Sequence, residues 1–368
     1  MTHTFELTAE VLTPIVRSLV DDDSAEVDSF EMKALKPGVG NPTSLGVYRV
    51  SGTAQAKGSA QSFSLVVKHL AEGNALLDAS QPTHWNYFRR EIVFFESEIA
   101  KRIPKSIGFP KYLGQTAFED GTFLFWNEDL GDLTKSKFTW EWCLGAARLV
   151  AELNSIDISD ADQHPWLSVG TPTGWLDFRE QFFVPFYEKI LEVTANDSTR
   201  AGELASFVSY LPQQQRFVEL MRTARQTFVH GDFNLNNLVM VSNREYELIA
   251  LDWQLCGVAA IGSEVAPIFG TAVELGVIDG TREQFDALCA AYTDRFNQLN
   301  SKNPVELSEV RLIAAVMGFT IVTSMASFFV WPNLDPTQPL PRKNAEDMID
   351  SFATGILPVY AQVMNELL

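Results

Sequence analysis

His230 and Asp232 stand two positions apart, Asn237 follows five residues after that aspartate, and Asp252 comes fifteen residues later still. These residue types in this order suit phosphoryl transfer. A carboxylate can accept the proton of a hydroxyl nucleophile, while an amide oxygen and a second carboxylate are hard oxygen ligands of the kind Mg²⁺ takes on bound phosphates. On this reading Asp232 is the base, Asn237 and Asp252 are metal ligands, ATP is the donor and a small-molecule alcohol is the acceptor.

Spacing alone is weak support, because three fixed residue types recur by chance in about one chain in a hundred of this size. An Asp–Asn loop is also often a simple turn, since both side chains bond their own backbone. The flanking residues add to it. Phe228 and Val229 lead in apolar, Leu238 to Val241 reads as a short strand, and Tyr246 to Leu251 reads as its return. Between them Ser242-Asn243-Arg244-Glu245 is a polar turn, so a hairpin would hold Asn237 and Asp252 at neighbouring strand ends.

The elements upstream can supply a nucleotide site. Phe63 to Lys68 is a strand pattern ending in lysine, apolar on both sides of the pleat, so the lysine needs a partner or a route to solvent. A helix is expected from about Thr83, with Trp85, Phe88, Ile92, Phe95 and Ile99 along its apolar stripe and Glu91 at the stripe's edge. A carboxylate there is costly unless paired, and Lys68 is the evident partner. Such a pair would hold the lysine against phosphates. Glu96 and Glu98 read as solvated. The stretch from Lys36 to Gly46 is rich in Gly and Pro between two strands, with Gly40, Asn41 and Ser44 as candidates for the phosphates. Taken alone it reads as a plain hairpin turn, and it lacks a strict G-x-G-x-x-G pattern.

Composition bounds the rest. The chain has 368 residues, 46% of them hydrophobic and 20% charged, which suits a folded protein of two lobes. A formal charge of −19 argues against nucleic acid or an anionic membrane as partner. Cys143, Cys256 and Cys289 are far apart, which excludes a disulfide framework or a zinc site and fits a reducing cytoplasm. The N-terminus lacks a signal-peptide pattern. Leu312 to Trp331 carries no charge and has the length of a membrane span, but its Gly, Ser and Thr content and missing basic flanks make it a buried helix.

A short capped helix is expected over Thr8 to Val20, with Val11, Ile15, Val16 and Leu19 on one face, and strands from Phe30. Lys111–Phe118 and Thr122–Asn127 form a hairpin about Glu119-Asp120-Gly121, completing an antiparallel sheet of roughly five strands with one helix on it. After Asn127 the pattern turns helical. We therefore expect an α+β, two-lobed chain: residues 1–128 for the nucleotide, residues 129–368 for catalysis and substrate. The connector around Glu128 and Leu130 would offer backbone groups to adenine. Helices are expected over Phe138–Leu153 (Trp142, Leu149 and Leu153 buried), Trp175–Val193, Gln213–Arg225, Gly262–Leu275, Arg282–Leu299, Leu307–Val330 and Ala345–Leu367.

Assembled, these parts resemble the aminoglycoside phosphotransferase and choline kinase superfamily, with its protein-kinase-like fold. The ecdysteroid-kinase-like branch is suggested by His230-Gly231-Asp232, the doubled Asn236-Asn237 and Asp252-Trp253-Gln254. The resemblance implies Asp232 as base, Asn237 and Asp252 on Mg²⁺, Lys68 on phosphate with Glu91 beside it, and a structural His230. Two positions depart from the pattern. Glu264-Val265-Ala266 stands where the family carries Asp-Leu-Ala, and Asn154 stands where a histidine is common. The competing readings are a catalytically silent nucleotide- or ligand-binding scaffold and a protein kinase. The second lacks its His-Arg-Asp, Asp-Phe-Gly and Ala-Pro-Glu segments.

Overall fold

The computed structural model describes residues 5–35, 43–72, 79–131, 138–169, 210–240, 248–334 and 356–368. The first part of the chain runs α1 (Ala9–Val20), β1 (Glu26–Leu35), β2 (Ser44–Ala56), β3 (Ser59–Leu70), α2 (Arg90–Glu96), β4 (Ile107–Gly108), β5 (Tyr112–Ala117) and β6 (Phe123–Glu128). Five of these strands form one antiparallel sheet in the order β1-β2-β3-β6-β5.

The two-residue period of a strand sends alternate side chains to opposite faces of this sheet. Phe63, Leu65 and Val67 of β3, with Leu124 and Trp126 of β6, pack against Leu12, Ile15 and Val16 of α1. Leu70, Phe123 and Phe125 face the other way and meet Phe88 and Ile92. Lys68, one residue after Val67, therefore lies on the α2 face. The sheet carries a helix on each side, where the sequence suggested one. Helix α1 is capped as expected, the Thr8 hydroxyl accepting the Val11 N–H at 3.3 Å, but Leu12 joins its buried face while Val11 and Leu19 stay partly exposed. Strand β1 starts before Phe30, at Glu26.

The helix expected from Thr83 is shorter than its apolar spacing suggested. It begins at Arg90, after a run of turns. The carbonyls of His84 and Trp85 accept from the Arg90 guanidinium, which takes them out of a helical ladder.

The second part contains α3 (Trp140–Leu153), β7 (Ser168–Val169), α4 (Gln214–Thr223), β8 (Gln226–Val229), β9 (Leu238–Met240), β10 (Leu248–Ala250), β11 (Gly257–Ala260), α5 (Val265–Glu274), α6 (Arg282–Leu299), α7 (Leu307–Leu334) and α8 (Leu357–Leu367). In α3 Leu149 and Leu153 are buried, whereas Trp142 is half-buried and stacks near Phe138 instead. Within α7, Ile313 to Met317, Phe319 and Val322 are buried in the large core. Among the described residues no helix is long and apolar enough to cross a membrane. The helix expected over Trp175–Val193 lies outside the described residues, as does residues 345–355 of the last one.

The expected hairpin is present, β9 and β10 pairing antiparallel with Leu238 opposite Ala250. Its polar turn lies outside the described residues. Strand β4 adds a third, parallel strand beside β10, which two residues of sequence could not announce. A second small sheet, β7-β11-β8, supports the chain on either side of the hairpin.

Candidate active site

Strand β8 delivers His230 and then Gly231, whose φ of +86° lies in the left-handed region. A Cβ there would fall 2.1 Å from the Leu255 carbonyl oxygen, so only glycine fits this turn. The Gly231 N–H donates to Glu264 Oε1 at 2.9 Å. His230 is fully buried, and its Nδ1 accepts the Asp232 N–H at 3.2 Å. Burial holds its pKa down to about 4, so the ring is neutral and carries its proton on Nε2.

Asp232 is the best-held carboxylate of the loop. Oδ1 accepts from Asn234 Nδ2 at 2.6 Å and Oδ2 from Asn237 Nδ2 at 2.7 Å. Asn234 in turn accepts the Asn236 N–H at 2.9 Å, closing the short 3-10 turn Leu235–Asn237. With its amide nitrogen committed to Asp232, Asn237 has its side-chain oxygen left to act as a ligand. Partial burial, helped by the charge on Asp252, pushes the Asp232 pKa up to about 6.

Asp252 follows β10 in a left-handed conformation, φ +64°, which is uncommon for a residue with a side chain and turns the chain into Trp253–Leu255. Lys68 Nζ donates to its Oδ1 at 2.8 Å and to Glu91 Oε2 at 2.6 Å. The other Glu91 oxygen accepts the Trp253 N–H at 3.2 Å. Burial works to raise the Asp252 pKa, but the Lys68 ammonium outweighs it and the pKa is lowered. Burial opposes the charge on Lys68 too, yet the two carboxylates raise its pKa and keep it ionised.

The structure thus gathers Asp232, Asn237, Asp252, Lys68 and Glu91 around one end of the hairpin. Gly40 and Asn41 lie outside the described residues. Ser44 is the first residue of β2, opposite Leu70 at the end of the lysine strand. The Glu128 carboxylate accepts the Lys111 N–H at 3.0 Å, and Leu130 is half-buried in the connector. Between them Asp129, which the sequence did not single out, is pinned by Ser64 and by Arg49 at 2.7 Å. Glu96 and Glu98, expected in solvent, take the Tyr112 hydroxyl and Lys101 at the surface. Sequence reasoning also missed Asn234, although an amide two residues after an aspartate is a signal for a side-chain bond of this kind.

The two departures from the family pattern touch each other. Asn154 Nδ2 donates to Glu264 Oε2 at 3.1 Å and to the Phe228 carbonyl at 2.8 Å. The Tyr292 hydroxyl donates to Asn154 Oδ1 at 2.7 Å. A longer acid and a shorter partner together bridge α6, α3 and the Gly231 turn.

Glu264 is 3% exposed, and burial pushes its pKa up to about 7. An acid with a raised pKa in the fold holds a proton that the unfolded chain has already released, so it favours folding less as pH rises. Glu264 and Asp232 both act in this sense, over a window from their ordinary values of 4.5 and 3.8 to about 7 and 6. His230, lowered by burial to about 4, acts in the opposite sense up to its ordinary 6.5, so we expect the fall to show most clearly in the stability of wild type relative to Glu264→Gln, by about 3 kcal/mol between pH 4.5 and pH 7. Thermal melts of the two proteins should show that relative fall; an equal slope in both would contradict the assignment.

Two hard oxygen ligands, Asn237 and Asp252, suit a Mg²⁺ ion that keeps waters and takes its remaining ligands from phosphates. Among the described residues no cluster of three or more His, Cys, Asp or Glu could hold a metal alone.

The chain has an α+β, protein-kinase-like fold. Residues 173–303, a segment that includes His230 to Asp252, match the model of the ecdysteroid kinase-like family. No curated protein matches the chain. Solved structures share its fold at low identity. A spectinomycin phosphotransferase in complex with ADP and spectinomycin is 11% identical, with 99% of this chain and 100% of that one covered and a TM-score of 0.50. An amicoumacin kinase in complex with AMP-PNP, Ca²⁺ and Ami is 11% identical, covering 92% of this chain and 90% of that one, also at 0.50. A candidate aminoglycoside phosphotransferase from Ralstonia eutropha is 12% identical over 99% and 100%, at 0.51.

Proposed function

We propose that this protein transfers the γ-phosphoryl group of ATP to a hydroxyl of a small molecule. The observation that carries the reading is the Asp232 carboxylate, fixed by two amide donors beside the Lys68–Asp252 and Lys68–Glu91 pairs. In the proposed reaction the alcohol sits in line with the γ-phosphate and gives its proton to an Asp232 oxygen as the new O–P bond forms, while the bond from the γ-phosphorus to the bridging oxygen breaks and ADP leaves. Lys68, held by Glu91, binds phosphate oxygens. Asn237 and Asp252 would hold Mg²⁺, which would supply charge neutralisation on the phosphates. His230, neutral at physiological pH, keeps the Asp232 backbone in place.

In this scheme residues 1–128 form the nucleotide lobe and residues 129–368 the catalytic and substrate lobe. Glu128 and Leu130 lie where the connector would meet adenine, and Gly40, Asn41 and Ser44 belong to the stretch that would cover the phosphates. The strongly acidic charge supports neither nucleic acid nor an anionic membrane as a partner. Three buried free cysteines support a reducing compartment such as the cytoplasm.

A coupled ADP-release assay with Mg-ATP tests the reaction against a panel of amino sugars, choline-like amines, sugars and sterols. Turnover confined to one chemical class would support the reaction and identify its acceptor. Tight Mg-ATP binding with no turnover on any alcohol would favour the silent scaffold instead.

A further inference from the structure

The residue after the Asp252-Trp253 pair reaches across to the nucleotide side of the molecule. The left-handed turn at Asp252 presses the Trp253 ring onto Phe94 of α2, with centroids 4.4 Å apart and planes 9° from parallel. This leaves Gln254 directed at the first lobe. The Gln254 side chain is buried, and its Nε2 donates to Thr43 Oγ1 at 2.9 Å and to Asn86 Oδ1 at 3.2 Å. Its carbonyl accepts from the buried Arg90 guanidinium at 3.0 Å.

Thr43 is fully buried and ends the Gly- and Pro-rich stretch in the sequence. Its carbonyl accepts the Ala71 N–H at 3.0 Å, just past the end of the lysine strand β3. Thr43 is therefore held by its backbone to the end of β3 and by its hydroxyl to Gln254. The same three-residue segment that carries Asp252 thus grips the start of β2 beside the lysine strand.

We infer that Gln254 is a positioning residue for the nucleotide: through Thr43 it fixes the distance between the loop that carries Asp252 and the ends of β2 and β3 beside Lys68. The contacts described for it run to Thr43, Asn86 and Arg90. If the tether is cut, the two halves of the nucleotide site are correctly spaced in only a fraction of molecules, and apparent affinity falls by that fraction. The inference rests on the kinase reading above.

Mg-ATP affinity is measured by equilibrium fluorescence titration and turnover by ADP release, in wild type, Gln254→Ala, Thr43→Val, Thr43→Ser and the double variant Gln254→Ala/Thr43→Val. Loss of a buried hydrogen bond is expected to weaken Mg-ATP binding about tenfold in Gln254→Ala and in Thr43→Val. Thr43→Ser, which keeps the hydroxyl, is expected to match wild type. The double variant is expected to lose no more than the worse single one, because both cut the same bond. The acceptor KM stays unchanged. Wild-type affinity in Gln254→Ala, additive losses in the double variant, or an equal rise in acceptor KM would each overturn the tether. Failure of wild type to bind Mg-ATP would instead refute the kinase reading. The Thr43 pair keeps the test valid if Gln254→Ala does not fold, since Val and Ser both sit in the space of Thr.

Discussion

Asp232→Asn is expected to lower kcat by about 10³-fold, the range lost when a positioned general base is removed, while Mg-ATP binding persists. Asparagine keeps the shape of the side chain but cannot take a proton. It also meets two amide donors, from Asn234 and Asn237, with only one oxygen to offer. One of those contacts becomes donor against donor, so the side chain reorients as well as losing its basicity. ADP release and nucleotide titration on the same preparation separate the two effects. Wild-type turnover in this variant would remove Asp232 from the chemistry.

Asp252→Ala is expected to act on the metal rather than on the base. Removing one of two proposed protein ligands should reduce turnover at ordinary Mg²⁺ by on the order of 10³-fold, comparable with the loss of a principal electrostatic group. The Mg²⁺ concentration needed for half-maximal rate should rise with it. The fold should survive, because the Asp252 side chain is 43% exposed and Lys68 retains Glu91 at 2.6 Å. Mg²⁺ titrations of the rate check this. A variant with an unchanged Mg²⁺ requirement would move the metal elsewhere.

Much of this site could be read before any coordinates, and the reasons are local. The hairpin was legible because its strands are apolar and its turn polar, and such patterns fix register as well as pairing. The Lys68–Glu91 pair followed from two charges each expected to face a buried surface, where a lone charge is costly. What stayed hidden depends on contacts between distant segments. Arg90 next to Glu91 on a short helix reads as a surface residue, and only the fold brings His84, Trp85, Trp166 and Gln254 around it. The length of α2 was misjudged for the same reason, since an apolar spacing of three and four persists through turns that side-chain bonds have broken. Strand β4, the Asp129 clamp on the connector, and the contact between Asn154 and Glu264 each need a partner dozens of residues away.

Arg90 carries one more consequence. It is fully buried, and its hydrogen bonds go to four main-chain carbonyls, those of His84, Trp85, Trp166 and Gln254. Burial lowers its pKa only to about 10, so the guanidinium stays charged and is stabilised by peptide dipoles. A cation solvated in this way has no carboxylate partner among those contacts for dissolved ions to screen. Surface pairs such as Lys101–Glu98, with both side chains over 70% exposed, weaken as salt shortens the reach of charge to about 8 Å at physiological ionic strength. The Arg90 part of the joint between α2 and the metal-side loop is built instead from short-range dipoles in a dry interior, so this part responds little to the ionic conditions around the protein.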